Sequence, residues 1–408
     1  MRCCIHVAVF VFAVVTWKLN SAEHKDWQIS ANFPGGNVRV LVCDRQQGLL
    51  RITPEVHPER GWACWWYFRL DHCRAGETIT LEVVPGPAVG SSTREWSTPR
   101  RIFYSHDNRT WKQTEEGTVV PKTSWWRYRV SCEAETLYLA WGPPFTLQHA
   151  SEFIADWCRN KSFVERWVLA RSEQGREVPA VRITESANVR KVPAAWIQAR
   201  QHAWECGSSW VAKGLVDWLV SEDRLARELR RNALIVVVPI MDVDNVERGA
   251  GGKNQKPQDH NRDWTDNPRW PEVRAAQEHI RQLHQAGQMR IFVDLHNPGL
   301  ADKQPYFYVP PAEILTEQAR RNQTRFLNVV RQHITDPWQL NPRPIESGKA
   351  YDPRWPAIAK TWVAMNCGPS VVAVTLEIPW NTVHSTIAGY ERIGQQLGRS
   401  LAHFLLAS

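Results

Sequence analysis

From about Trp27 to Pro144 apolar residues come in short runs: Val38–Val42, Trp65–Leu70, Thr78–Val84, Arg101–Tyr104, Trp126–Ser131 and Leu137–Trp141. Turn-forming groups separate them, among them Pro34-Gly35-Gly36, Ala75-Gly76, Pro85-Gly86-Pro87 and Asp107-Asn108. No helical period runs through this stretch, and the pattern predicts an antiparallel β-sandwich. After Pro143-Pro144 apolar strands alternate with helical stretches, which predicts βαβ units around a mostly parallel sheet. Strands are expected at Val178–Ile183, Ala194–Gln201, Leu234–Ile240, Ile291–Leu295 and Val371–Leu376. Helices are expected at Ser208–Val220, Pro271–Gln285, Ala312–His333 and Thr386–Leu406, the first opening on serines able to cap it. The fold class is therefore α/β behind a sandwich, with the sandwich over residues 23–150 and the second domain over 151–408. A chain of 408 residues is long enough for two cores.

The start of the chain reads differently. Met1-Arg2 precedes an apolar run from Cys3 to Val15, then Asn20-Ser21-Ala22 and the charged Glu23-His24-Lys25. This is the layout of a secretory signal peptide over residues 1–22, cleaved after Ala22. The run is shorter than the roughly 20 residues a membrane span needs, so the mature chain is expected to be exported, periplasmic or extracellular, without stable membrane insertion. Seven of the 9 cysteines lie beyond that segment, at 43, 64, 73, 132, 158, 206 and 367. An odd number leaves at least one thiol free; Cys64 and Cys73 are close enough in sequence to bridge a hairpin.

Charge narrows the partners. The formal net charge of +8 comes from 50 basic and 42 acidic residues scattered along the chain, without the dense basic block and interleaved aromatics of a nucleic-acid surface. Tryptophan is unusually frequent, 22 in all, and many fall in the first segment, such as Trp62, Trp65, Trp66, Trp125 and Trp126. Such rings either form a sugar-binding platform or, the reading favoured here, fill the space between sheets and a domain interface.

The chemistry concentrates where predicted strands end. Gln201-His202-Ala203-Trp204-Glu205 follows one strand and precedes a helix, so His202 and Glu205 emerge at the carboxyl edge of the sheet, where ligands gather in α/β folds. Imidazole and carboxylate three residues apart in a turn can converge on one ion, and a catalytic Zn²⁺ takes three protein ligands plus water. Phe292-Val293-Asp294-Leu295-His296 ends a second strand at the same edge and offers His296 as the third ligand. Asp294 either backs that histidine or turns to a backbone amide. Glu377 closes the apolar strand Val371–Leu376, a costly place for an acid without a role, and suits a general base for a zinc-activated water. In Asp259-His260-Asn261-Arg262-Asp263-Trp264, Asn261 and Arg262 can fork onto the terminal carboxylate of a peptide.

Taken in order, His202-x-x-Glu205, Val238–Val246, Asn261-Arg262, Asp294-Leu295-His296 and Thr375-Leu376-Glu377 resemble a zinc carboxypeptidase. Trp66-Tyr67-Phe68-Arg69 and Tyr138–Phe145 resemble the β-sandwich that precedes the catalytic domain in the cytosolic-carboxypeptidase branch. The resemblance implies an α/β/α carboxypeptidase-like catalytic domain and one zinc per chain, bound by His202, Glu205 and His296. It also implies substrate binding by Asn261 and Arg262, and Glu377 as base. Two departures stand out. The usual Pro-Gly between the first His and Glu is Ala203-Trp204, and the carbonyl-polarising arginine has no match in Gly251–Lys256, where Lys253 is the available cation. Tyr351 is the one tyrosine in Ser347–Trp355 and is read as a substrate contact.

The expected activity is removal of a C-terminal residue from a peptide or protein with a free C-terminus. A deacylase or amidase acting on acyl-amino acids or cell-wall peptides would use the same metal, and a non-catalytic protein binding through its Trp-rich sandwich is the reading from a different class.

Overall fold

The computed structural model describes residues 26–87 and 94–407. The leader expected over residues 1–22 lies outside the described residues. Among them, ten strands make the N-terminal unit: β1 (Gln28–Ser30), β2 (Arg39–Asp44), β3 (Leu49–Thr53), β4 (Tyr67–Asp71), β5 (Thr78–Val83), β6 (Phe103–Ser105), β7 (Lys112–Gln113), β8 (Thr118–Val119), β9 (Trp126–Ser131) and β10 (Thr136–Ala140). They form two five-stranded sheets, ordered β1-β4-β10-β6-β7 and β2-β3-β5-β9-β8. Alternation along the strands sets the core: Leu50 and Ile52, Ile79 and Leu81, and Tyr128 and Val130 of one sheet share it with Phe68, Leu70, Leu137 and Leu139 of the other. Pairing is antiparallel except between β3 and β5, which run parallel. The run Leu49–Thr53, too short and mixed to stand out in sequence, is the strand that makes this possible.

The second unit begins with α1 (Leu147–Cys158), a helix that runs across residue 150. It was not foreseen, although its start carries a signal: Thr146 Oγ1 accepts from the amide of His149, and the His149 ring accepts from the amide of Thr146. There follow β11 (Val164–Arg171), β12 (Glu177–Ile183), β13 (Ala194–Ala199), α2 (Cys206–Leu219), α3 (Arg224–Asn232), β14 (Leu234–Val238), α4 (Val243–Arg248), α5 (Pro271–Gln285), β15 (Met289–His296), β16 (Tyr306–Val309), α6 (Glu317–His333), β17 (Ile345–Glu346), α7 (Ala359–Asn366), β18 (Val372–Glu377) and α8 (Ile387–Leu406). The eight-stranded sheet is ordered β11-β12-β14-β13-β15-β18-β16-β17. Its centre, β14-β13-β15-β18, is parallel, while β11, β12 and β16 pair antiparallel. Helices bury the central strands, so every residue of β14 and β18 is buried and their sequences run almost unbroken in apolar residues.

Register fixes the working edge. β15 and β18 pair Asp294 with Thr375 and His296 with Glu377, and β13 brings Gln198 opposite Asp294. The expected strand 194–201 stops at Ala199 because Arg200 turns into left-handed backbone, φ 61°. The serines expected to cap the next helix do not do so. Helix α2 starts at Cys206 behind Glu205, and Ser208 and Ser209 sit inside it, their hydroxyls donating to the carbonyls of Glu205 and Pro239. The helix expected over 312–333 is a short 3₁₀ turn followed by α6, capped by Thr316.

Helices α2 and α8 cross closely because each presents a glycine. A methyl group at Gly214 would lie 2.2 Å from the carbonyl of Glu391, and one at Gly394 would lie 2.1 Å from that of Val211. Gly394→Ala is expected to destabilise the chain by about 2 kcal/mol, the usual scale of overpacking a tight contact. Urea unfolding measures it, and an unchanged midpoint would show that the helices can separate freely.

Candidate functional site

The turn between β13 and α2 is stapled by its own first residue. The guanidinium of Arg200 donates to the carbonyls of Ala203 (Nε, 3.0 Å) and Phe145 (3.2 Å), inside a fully buried environment. With the backbone thus fixed, His202 and Glu205 face the same point. The ligand atoms of His202, Glu205 and His296 all lie within 4.8 Å of one another, and all three residues are buried.

Their hydrogen-bonding directions are informative. His202 Nδ1 stands 2.7 Å from Glu205 Oε1, and His296 Nδ1 stands 2.7 Å from Glu205 Oε2. The outer ring nitrogens point away to carboxylates: His202 Nε2 to Asp259 (3.2 Å) and His296 Nε2 to Asp294 (2.9 Å). Asp294 is therefore a backing carboxylate, further held by Gln201 Nε2 at 2.5 Å, and Gln201 in turn accepts from the indole of Trp264 at 2.7 Å. Burial opposes ionisation of Glu205, yet His202 and His296 outweigh it and hold the acid well below the usual carboxylate range. Burial likewise opposes charge on His296, and Asp294 and Glu205 reverse the effect and raise it.

This donor set fits a cation. With the outer N–H groups bound to Asp259 and Asp294, loss of the second proton from each ring leaves each Nδ1 as a lone pair aimed at Glu205, a place a cation can take. Two imidazoles and a carboxylate, each with an oriented second contact, are a zinc-type set.

Glu377 ends β18 beside His296 in register. Its Oε2 is buried and has no hydrogen-bond partner among the described residues, and burial pushes the acid up to about 7. Asn261 and Arg262 lie in a one-turn 3₁₀ segment behind Asp259, whose carboxylate also accepts from the amides of Asn261 and Asn254. Asp259 therefore links His202 to the loop carrying Asn261 and Arg262. Arg262 Nε donates to Asp352 at 2.7 Å and Nη1 to the carbonyl of Asn261 at 2.8 Å, which aims the guanidinium rather than consuming it. Tyr351 stands beneath it, 5.9 Å from the guanidinium carbon and nearly half exposed.

A cavity of about 170 Å³ joins these groups, lined by His202, Glu205, His296, Asn261, Arg262, Lys253, Tyr351 and Glu377. All the residues expected from sequence thus meet in one place. Its remaining wall includes Trp62 and Trp96 from the sandwich, with Trp204. Lys253 Nζ lies 5.4 Å from the Trp62 ring centroid, and the Trp62 amide donates to the Lys253 carbonyl at 3.0 Å. A larger cleft of 730 Å³, lined by Trp167, Arg182 and His279, shares no residue with this site.

Sequence reading missed several members. Asp259 lay within the Asn-Arg motif, but nothing local told which acid would reach His202. Lys360, one residue into α7, is 2% exposed and has no ion pair among the described residues; its Nζ lies 5.6 Å from the Tyr308 ring, and Tyr308 lines the cavity. Burial, then Arg262, depress this ammonium to about 7 against the opposing pull of Asp294 and Glu377.

Comparison with known proteins agrees with this geometry. Residues 154–310 match the family described as zinc carboxypeptidase, and residues 29–141 match the cytosolic carboxypeptidase N-terminal domain. The first match takes in His202, Glu205, Asn261, Arg262 and His296 and stops before Tyr351 and Glu377. Human cytosolic carboxypeptidase 6 is 28% identical over 294 residues, 65% of this chain and 56% of that protein. Bovine cytosolic carboxypeptidase 3 is 24% identical over 65% of this chain and 29% of its own length. An uncharacterized protein of Zymomonas mobilis is 26% identical over 62% of this chain and 64% of its own. The chain thus spans less than two thirds of the length of these relatives. In fold, it resembles a metallo-carboxypeptidase from Burkholderia cenocepacia (TM-score 0.79, 21% identity, 94% of this chain and 100% of that one). A second similar fold is a metallo-carboxypeptidase from Pseudomonas aeruginosa (TM-score 0.74, 19% identity, 92% and 98%). The sandwich, the doubly covered sheet and the buried His-Glu-His set at its edge coincide with these two matches: the chain carries a zinc carboxypeptidase domain over residues 154–310 behind the N-terminal domain of cytosolic carboxypeptidases over residues 29–141.

Proposed function

We propose that the chain is a zinc-dependent metallocarboxypeptidase that hydrolyses the C-terminal peptide bond of a peptide or protein. The observation that carries this reading is the convergence of His202, Glu205 and His296 at the strand edge where Glu377 holds an unpartnered buried oxygen. A zinc ion held by the three ligands would supply Lewis acidity and a water of lowered pKa. Asn261 and Arg262 take the terminal carboxylate, with the guanidinium aimed by Asp352. Glu377 accepts the proton of the attacking water and returns it to the leaving amine; its burial raises its basicity for that task. Lys253, in the cavity wall beside Trp62, stabilises negative charge developing on the carbonyl oxygen. Tyr351 contacts the substrate from the cavity mouth.

Lys360 adds a preference. A buried ammonium without an ion pair among the described residues, set against Tyr308 of the cavity wall, would stabilise an acidic side chain on the departing residue.

The described residues contain no helix long and apolar enough to cross a membrane. We read residues 1–22 as a leader and the working protein as exported; protein recovered from outside the cytoplasm is then expected to begin at Glu23 by N-terminal sequencing, and retention of residues 1–22 would refute it.

Purified protein is expected to hold one zinc per chain by elemental analysis, and the His202→Ala/His296→Ala double variant none. Glu377→Gln should keep the metal while kcat falls about a thousandfold. A screen of free peptides beside acylated amino acids and cell-wall fragments identifies the bond; turnover of the acylated compounds alone would replace this reading with the deacylase one.

For Lys360 the direction of the pH effect follows from its depressed pKa. The ammonium is present below about 7 and lost as pH rises through it, so kcat/KM for peptides ending in Glu should fall across that range relative to peptides ending in Leu. Lys360→Met should remove both the preference and its pH dependence, and an unchanged Glu/Leu ratio in that variant would exclude the role.

A further inference from the structure

The cysteine positions allow an inference independent of the hydrolytic site. Cys73 lies two residues beyond β4, in one sheet of the N-terminal unit, and Cys132 directly follows β9, in the other. Both are buried, at 3% and 1% exposure. The backbone around them is held from several sides: the Cys73 amide donates to Glu135 O at 3.0 Å, the Cys132 amide to Glu77 O at 2.8 Å, and the Gly76 amide to Cys132 O at 2.9 Å. Within that frame both side chains turn into the same hydrophobic core of the sandwich. The Cys73 sulfur also lies 3.7 Å from the carbonyl of Leu70. Cys64, the nearer neighbour in sequence, is instead buried close to Glu205 and Lys253.

We propose that Cys73 and Cys132 are a disulfide pair that pins the two sheets of the N-terminal domain to each other. All seven described cysteines carry free thiols in this structure, and the pair needs only loss of its two hydrogens to bond. Joining the sulfurs breaks two S–H bonds and releases two protons and two electrons. These pass to a disulfide oxidant, oxidised glutathione or a disulfide-bearing oxidoreductase, whose own S–S bond is reduced to two thiols. Cys132 beside it lowers the pKa of Cys73 and so favours the thiolate, the attacking form in such an exchange. Burial shields the folded pair from solution oxidants, so the bond forms while the sandwich folds. It then closes a loop of about 60 residues, long enough for a cross-link to restrict the unfolded chain substantially.

The test refolds the chain from Glu23 onward, which holds seven cysteines, from denaturant in a glutathione redox buffer and, in parallel, in reductant. Free thiols are alkylated and the protein is digested for mass mapping. One linked peptide, Cys73 with Cys132, is expected, with Cys43, Cys64, Cys158, Cys206 and Cys367 alkylated. The apparent Tm of the oxidised protein should exceed that of the reduced protein by roughly 5 °C. Cys73→Ser and Cys132→Ser should each abolish the difference, and the double variant should melt with the single ones. Alkylation of both Cys73 and Cys132 after oxidative refolding overturns the proposal, as does a linked peptide joining either to a different cysteine. Because the mapping is done on the wild-type chain, a serine variant that fails to fold leaves the result decisive.

Discussion

A carboxylate clamped between two imidazoles is the constraint that the rest of the molecule serves. Glu205 faces one nitrogen from His202 and one from His296, each at 2.7 Å, with all three groups out of water. Such a cluster is tolerable only if every outer position is also committed, and here each is. Asp259 takes His202 and holds the loop of Asn261; Asp294 takes His296 and is held by Gln201, itself anchored to Trp264. The strand edge, the loop of Asn261 and the helix start are therefore not three separate features. They are the outer contacts of one buried charge arrangement, and moving any of them leaves a buried polar group unpaired.

The same reasoning explains why the sandwich is more than an attachment. Its Trp62 forms a wall of the cavity and hydrogen-bonds the backbone of Lys253, while Gly251 and Gly252 pack so closely under Trp62 and Ala203 that a methyl group on either would meet backbone within 3 Å. The glycine loop carrying Lys253 is thus pressed between the two units. Trp62, Trp96, Trp141, Trp204 and Trp380 fill the seam with ring contacts of 4.3–6.3 Å. These five of the 22 tryptophans are interface mass, their rings packed against one another.

What could be read from the chain and what could not divides along a physical line. The parallel strands β13, β14, β15 and β18 are legible because strands buried on both faces must be apolar throughout, and a histidine or glutamate closing such a run stands out. Helix α1 is not legible, since its apolar residues Ala150, Ile154 and Trp157 cover a narrow face and its cap depends on a histidine ring. Lys360 is invisible for a related reason. It lies in a short helix whose sequence, Ala-Lys-Thr-Trp-Val-Ala-Met-Asn, would as readily put the lysine in solvent, and only the packing of α7 against β15 and β18 buries it. Asp259 and Asp294 show the limit at the site itself: their presence is readable, but which nitrogen each takes is set by strand register for Asp294 and by the path of the loop before Asn261 for Asp259.

The replacement of Pro-Gly by Ala203-Trp204 joins these threads. A proline and glycine would stiffen and open the turn between the two ligands by backbone means alone. Here the turn is held instead by Arg200, which donates to the Ala203 carbonyl, and by Trp204, whose amide donates to Gly251 and whose ring is buried among the tryptophans of the seam. The separation of His202 and Glu205 is consequently coupled to the packing of the sandwich against the catalytic unit. Losing the seam would free Trp204, and with it the turn that brings His202 and Glu205 together, so in this chain the N-terminal domain acts as part of the scaffold that holds the buried His-Glu-His set.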